Sequence, residues 1–224
     1  MARVDGYNPK KKRGREEEEY PVRRRQRARA AIGTLLRVAT SEWEEVNKSL
    51  ESAHRRLRGF DVADMLRRRR AGRRLRKPRG RSLDIAHGKL KRLVLLHHEA
   101  GDGLWDYGAH HGLPWQEEDE GGDAAARWRA WKQRGDVSDR HADDALLRVR
   151  AALRDLTEAV RILHAVATKP PGFRGPRAVW AAVADRLVRG ATDEVAAAQG
   201  AVGRMRRAVV LEFFAAWAVL TALG

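Results

Sequence analysis

Residues 32–57 read IGTLLRVATSEWEEVNKSLESAHRRL, and the spacing of their apolar side chains decides the fold. The apolar positions are Ile32, Leu36, Ala39, Trp43, Val46, Leu50, Ala53 and Leu57. Steps of four and three residues alternate along this series, which brings every member onto one side of an α-helix. The pattern predicts a helix from Arg23 to about Arg58, ended by Gly59.

Helical spacing continues through the rest of the chain. Asp61 is predicted to cap a second helix, and Ser82 to cap a third. Further helices are predicted at about 123–133, 138–167, 177–189 and 193–223. The sequence shows no period-two alternation and no internal repeat. It therefore predicts an all-α fold, a helical bundle of five to seven helices.

Composition divides the chain into four parts. Residues 1–22 are predicted to be a disordered basic and acidic N-terminal tail, because they offer little apolar surface to bury. Residues 23–100 are predicted to be a basic helical region that binds nucleic acid. Residues 101–123 hold seven acids and no Lys or Arg, and are predicted to be an acidic aromatic loop. Residues 124–224 are predicted to be a helical packing and oligomerisation bundle.

Positive charge is confined to the first hundred residues. The formal net charge is +16, and residues 1–100 contain 29 Lys and Arg against 13 Asp and Glu. Residues 101–224 contain 17 of each. Between Arg67 and Arg81, ten of fifteen residues are basic and none is acidic. A basic surface of this kind predicts a polyanionic partner, and favours nucleic acid over an anionic membrane.

Two basic segments supply the candidate nucleic-acid contacts. These are the opening turns of the first predicted helix and the run from Arg67 to Arg81. The candidate residues are Arg23, Arg24, Arg25, Arg27, Arg67, Arg68, Arg69, Arg70, Arg73, Arg74, Arg76, Lys77, Arg79 and Arg81. The sequence has no RNP-type aromatic motif, no KH-type loop and no Cys/His finger. We therefore expect contacts to the phosphate backbone, with weak sequence preference and a steep salt dependence.

Catalysis and cofactor binding find little support in the sequence. The chain has no cysteine, and it lacks Walker, GxGxxG, GxSxG and HExxH motifs. His97, His98, Asp102, Asp106, His110 and His111 lie close together in sequence, but glycines interrupt them. We predict no metal site, no cofactor and no catalytic residue. An alternative rests on three Arg/His spacings like those of helical HEPN-type ribonucleases, namely Arg81–His87, Arg92–His97 and Arg134–His141.

The C-terminal stretch from Ala208 to Leu223 is apolar except for Glu212 and Thr221. A membrane-spanning helix needs about 20 apolar residues, so this stretch is short. It predicts a buried central helix or an oligomer interface, with a short membrane anchor as the alternative. The N-terminus is charged where a signal peptide needs an apolar core, which predicts a cytoplasmic protein.

The chain resembles the small helical subunits of multi-subunit class 1 CRISPR effector complexes in size, helicity and basic charge. The resemblance covers about residues 23–224 and rests on no motif. It implies a non-catalytic subunit of a ribonucleoprotein assembly that contacts nucleic acid, RNA in preference to DNA, through Arg23–Arg29 and Arg67–Arg81. Its protein partners would include copies of itself. Alternative functions are a viral or phage nucleoprotein or packaging factor, the helical ribonuclease, and a peripheral membrane protein.

Overall fold

The computed structural model describes residues 9–70, 80–113, 123–168 and 174–222, with side chains in these ranges except at 9–21, 69 and 70. Every regular element in them is an α-helix: α1 is Pro9–Arg58, α2 is Val62–Arg70, α3 is Arg81–His110, α4 is Asp123–Thr168 and α5 is Arg177–Ala222. The all-α prediction and the predicted number of helices are confirmed.

The first helix begins earlier than its apolar spacing predicts. α1 starts at Pro9, inside the range assigned to the N-terminal tail, and residues 1–8 lie outside the described residues. Proline suits the first helical position because its fixed φ is helical and its missing N–H would have no partner there. Lys, Arg and Glu are good helix formers, so residues 10–19 favour a helix without any apolar face.

The predicted boundary at residue 101 is wrong. α3 continues through Gly101, Gly103 and Gly108 to His110, so residues 101–110 are helical. Leu104 and Tyr107 are buried and prolong the apolar series of α3, and this burial outweighs the low helix propensity of the glycines. Residues 114–122 of the predicted loop lie outside the described residues.

Two further predicted helix breaks are absent. α4 runs unbroken through Gly135, and α5 runs unbroken through Gly190. A Cβ at Gly135 would lie 3.3 Å from Glu212 Oε1, and one at Gly190 would lie 3.4 Å from Asp155 Oδ2. These glycines therefore allow a carboxylate of another helix to approach closely, and they stay helical.

Of the two predicted helix N-caps, the structure confirms one. The amide of Asp64 donates to Asp61 Oδ1 at 3.0 Å, which confirms the N-cap of α2. Ser82 is not a cap, because α3 begins one residue earlier, at Arg81. The carbonyl of Gly80 accepts from the amide of Leu83 at 2.8 Å, and Ser82 Oγ instead lies 3.5 Å from Ser52 Oγ.

The chain forms two compact units that do not follow the four-part division by composition. Unit 1 takes in Met1–Val38, Leu95–Gly135 and Val209–Gly224, and unit 2 takes in Ala39–Val94 and Asp136–Ala208. Each unit combines segments from the basic N-terminal region and from the C-terminal region. The basic N-terminal region and the C-terminal region of the sequence therefore do not correspond to a separate binding domain and packing domain.

Unit 1 has an aromatic core. Trp128 is almost fully buried, and its ring centroid lies 5.4 Å from that of Trp105 and 4.7 Å from that of Trp131. A Cβ at Gly108 would lie only 2.3 Å from the ring of Trp128, so a glycine is required there. On α1, Leu35 is buried in place of the predicted Leu36, because it continues the spacing of Ala28, Ile32 and Ala39.

Unit 2 has a mainly aliphatic core that also contains the buried Trp43. One cluster joins α2 to α4 and α5 through Val62, Met65, Ile162, Leu163, Val166 and Ala184. The predicted seam of α1 from Ala39 to Leu57 and that of α3 from Leu83 to Leu93 are buried here. Burial of a large apolar side chain stabilises a fold by about 1.5–3 kcal/mol, so these seams fix which faces of the helices reach solvent.

Candidate nucleic-acid interface

The basic α1 segment, residues 22–38, gives unit 1 a one-sided distribution of charge. It carries six arginines, and the stretch from Tyr20 to Ser41 contains no Asp or Glu. Ala28, Ile32 and Leu35 bury one side of the helix. The arginines therefore lie on the remaining faces, and the exposed ones are Arg23, Arg27, Arg29 and Arg37.

Two predicted contact residues of this segment have structural contacts. Arg24 Nη1 donates to the carbonyl of Asp106 at 3.0 Å, and Arg25 Nη2 donates to the carbonyl of Leu220 at 2.9 Å. The last carbonyls of a helix have no partner within the helix, and a cation there also suits the helix dipole. Arg25 therefore stabilises the end of α5, besides adding charge to the surface.

Sequence reasoning missed the contribution of α5. The Arg29 guanidinium carbon lies 5.8 Å from the ring centroid of Trp217, which is a cation–π arrangement. Trp217 is 45 % exposed and Phe214 is 66 % exposed. The helical spacing of Val209, Ala216 and Leu220 predicts the buried side of this helix, and all three are buried. The sequence did not indicate that the exposed side of the helix contacts Arg29 of α1.

The run from Arg67 to Arg81 is only partly described. Arg68 Nε lies 2.6 Å and Arg67 Nη2 3.9 Å from carboxylate oxygens of Asp64, just outside the run. Arg69 and Arg70 end α2, and Arg81 is exposed at the start of α3. The remaining predicted residues lie outside the described residues: Arg73, Arg74, Arg76, Lys77 and Arg79.

Many basic side chains of unit 2 have acidic partners. Glu42 is buried and accepts from both Lys89 and Arg92, at 2.8 and 3.0 Å. Asp144 pairs with Arg148 at 2.8 Å and with Arg204 at 3.1 Å. Further pairs are Arg154–Asp155, Arg161–Glu158 and Arg189–Asp185. Ion pairs of this kind reduce the positive potential of unit 2, whose residues still include 30 Lys and Arg against 16 Asp and Glu.

A groove of about 930 Å³ in unit 2 does not offer a better anion site. Its lining comes from α2, the end of α4 and the start of α5, and its apolar part includes Leu66, Val166 and Ala181. Its charged lining consists of two arginines and two aspartates, namely Arg67, Arg177, Asp61 and Asp185. These charges balance, so the groove does not select for phosphate.

The histidines form several groups, among them His97 with His98, whose ring centroids lie 5.8 Å apart, and His110 with His111, whose ring centroids lie 5.6 Å apart. His97 is buried, and its Nε2 lies 2.5 Å from Glu212 Oε2. Arg150 Nε donates to His87 Nε2 at 3.3 Å. Burial, together with the charges of Lys91 and Arg150, lowers the pKa of His87. In the Arg92–His97 spacing, Arg92 pairs with Glu42 and His97 with Glu212, so each residue has its own acidic partner.

No protein-family model matches this chain, and no curated protein is significantly similar to it in sequence. Among the described helices, none combines the length and apolar character needed to cross a bilayer. Evidence on function therefore comes from the charges and surfaces described above.

Proposed function

We propose that this protein is a non-catalytic nucleic-acid-binding subunit of a ribonucleoprotein assembly. The observation that supports the proposal best is the basic α1 segment, which places exposed arginines on unit 1 within a stretch that contains no acid. Guanidinium groups bind phosphate oxygens in a two-pronged geometry, so they suit backbone contacts. Assembly in the manner of a CRISPR small subunit, with copies of itself and with RNA in preference to DNA, is part of the proposal.

The arginines divide into two roles under this proposal. Arg23 and Arg27 are exposed, and they contact phosphate. Arg24 and Arg25 bond to main-chain carbonyls and hold the ends of helices in place. In the second basic segment, Arg67 and Arg68 must give up Asp64 before they bind phosphate. An exposed ion pair is worth about 1 kcal/mol or less, so this exchange is inexpensive.

Fluorescence anisotropy with a labelled single strand tests the proposal. We expect the double variant Arg23→Gln, Arg27→Gln to bind more weakly. The slope of log Kd plotted against log salt concentration should fall by about 1.4, or 0.7 for each lost phosphate contact. The matched control is Arg186→Gln, Arg206→Gln, which removes two exposed charges from α5 in unit 2. Equal binding by both variants and the parent protein contradicts the proposal.

A further inference from the structure

The last turns of α5 carry an exposed apolar stripe. Val210, Phe214 and Trp217 are 37, 66 and 45 % exposed and follow one another at helical spacing. On the other side of the helix, Val209, Ala216 and Leu220 are buried in unit 1. The prediction that this helix is interior therefore holds for one face only. Large aromatic side chains on a surface mark a binding site more often than isolated aliphatic ones do.

Contacts between α1 and α5 place cations beside this stripe. Arg25 meets Leu220, and Arg29 meets Trp217, so the two helices run antiparallel. The same register places Gly33 level with Phe213. Arg29, Gly33 and Arg37 follow one another at four-residue steps, so they form a line along α1 that spans about 12 Å. Arg29 and Arg37 are both exposed.

Gly33 leaves open space between these two arginines. A Cβ built at this position meets no atom within 4 Å, and the residue is exposed. The face therefore combines exposed aromatic rings, flanking guanidinium groups and a gap beside them. Single-stranded nucleic acids are bound by this combination, in which bases stack on aromatic rings and cations follow the backbone.

We propose that the α1–α5 face of unit 1 binds single-stranded nucleic acid, with bases stacked on Phe214 and Trp217 and phosphates held by Arg29 and Arg37. This inference rests on the proposed function and narrows its ligand to unpaired strands. A duplex does not fit, because its bases already stack on one another and present only their edges. Stacking is possible with every base, so little sequence preference is expected.

The positive charge of the α1–α5 face favours nucleic acid as its ligand over a second copy of this chain. Two α1–α5 faces related by a two-fold axis would bring Arg29 and Arg37 of one copy towards those of the other. Like charges at such an interface oppose association. A single-stranded nucleic acid can stack its bases on the rings and place its phosphates beside the cations.

The test compares two labelled probes of equal length and charge, an oligothymidylate and a strand of abasic deoxyribose phosphates. We expect the parent protein to bind the oligothymidylate more tightly, and a duplex no more tightly than the abasic strand. Phe214→Ala, Trp217→Ala should lose affinity for the oligothymidylate only, by about 5-fold or more for each lost stacking contact. Leu211→Ala is the control, because Leu211 is exposed on the same helix on the side of Phe214 away from α1.

The outcomes separate this inference from the proposed function. Equal affinity of the parent protein for both strands, or no effect of the double variant, overturns the stacking site while backbone binding stands. Failure to bind any probe overturns both. A double variant that changes the oligomeric state and binds as before identifies the stripe as a subunit interface. One that loses binding to anionic phospholipid vesicles, with strand binding unchanged, identifies it as a membrane surface.

Discussion

At the scale of single residues, two glycines of α3 differ in whether a side chain would fit at their position. Gly108 in α3 faces the ring of Trp128, and a Cβ there would lie 2.3 Å from it. Gly88 in the same helix has no atom within 4 Å of such a Cβ. The sequence shows two helical glycines and does not tell them apart, because the ring that requires Gly108 comes from a distant part of the chain.

We expect Gly108→Ala to lower the free energy of unfolding by about 1–3 kcal/mol, because Trp128 must shift from a well-packed position. Gly88→Ala should instead raise it by about 0.5–1 kcal/mol, since alanine restricts the unfolded chain and meets nothing in the folded one. Urea denaturation followed by circular dichroism measures both changes. Equal effects of the two substitutions would show that the ring does not constrain Gly108.

His87 makes the stability depend on pH. Its pKa is lowered in the folded protein, first by burial and then by Lys91 and Arg150, whereas Asp84 acts in the opposite direction. The unfolded chain therefore takes up the proton at higher pH than the folded protein does. Stability contributed by neutral His87 is present above about pH 6.5 and is lost as the pH falls below that value.

Thermal melting at a series of pH values checks this sign. The melting temperature should fall on acidification, and the fall should be smaller in His87→Gln, which cannot take up the proton. A variant that loses stability on acidification as steeply as the parent protein would assign the effect to other groups.

At the scale of helices, the spacing of apolar residues predicts that a helix exists better than it predicts how long that helix is. The apolar spacing of the sequence indicated the helices, and the series of α1 indicated most of its buried positions. It did not show that α4 continues through Gly135 or α5 through Gly190, where a carboxylate of another helix lies close to each glycine. For α5, the spacing of Val209, Ala216 and Leu220 indicated the buried face, but it did not indicate that Trp217 on the exposed face contacts Arg29 of α1.

The end of α5 depends on a cation from α1. Arg25→Ala should lower the free energy of unfolding by about 0.5–1.5 kcal/mol, because the carbonyl of Leu220 loses its donor. Arg27→Ala should change stability by less than about 0.5 kcal/mol. Binding should respond to Arg27→Ala at least as strongly as to Arg25→Ala. Denaturation and anisotropy on the same two variants test this division, and the reverse order of stability losses would refute it.

At the scale of the whole molecule, the residues of unit 2 carry a formal net charge of +14 and those of unit 1 only +2, although the units do not coincide with the division of the sequence by charge. All of the net charge of +16 belongs to residues 1–100, yet both units contain part of that region. The sequence predicted that a basic surface exists. It did not predict that Glu42 of α1 pairs with Lys89 and Arg92 of α3, or that Asp144 of α4 pairs with Arg204 of α5, because these ion pairs form across helices.

We expect the purified protein to carry nucleic acid at low salt and to release it at high salt, because each neutralised phosphate frees a condensed counterion. The ratio of absorbance at the nucleic-acid and protein maxima, before and after a high-salt wash, measures this directly. A ratio typical of clean protein, together with no mobility shift of added RNA or DNA at low salt, would contradict it.

Four tryptophans in the described part of unit 1 make two different optical reporters. Trp128 and Trp131 are buried, and the ring centroid of Trp128 lies 4.7 Å from that of Trp131 and 5.4 Å from that of Trp105. The electronic transitions of these rings therefore couple and should give a strong near-ultraviolet circular-dichroism band. Trp217 is open to solvent and should be quenched by acrylamide while the buried rings are not. Melting of the core and occupancy of the surface can therefore be followed separately in one unlabelled sample.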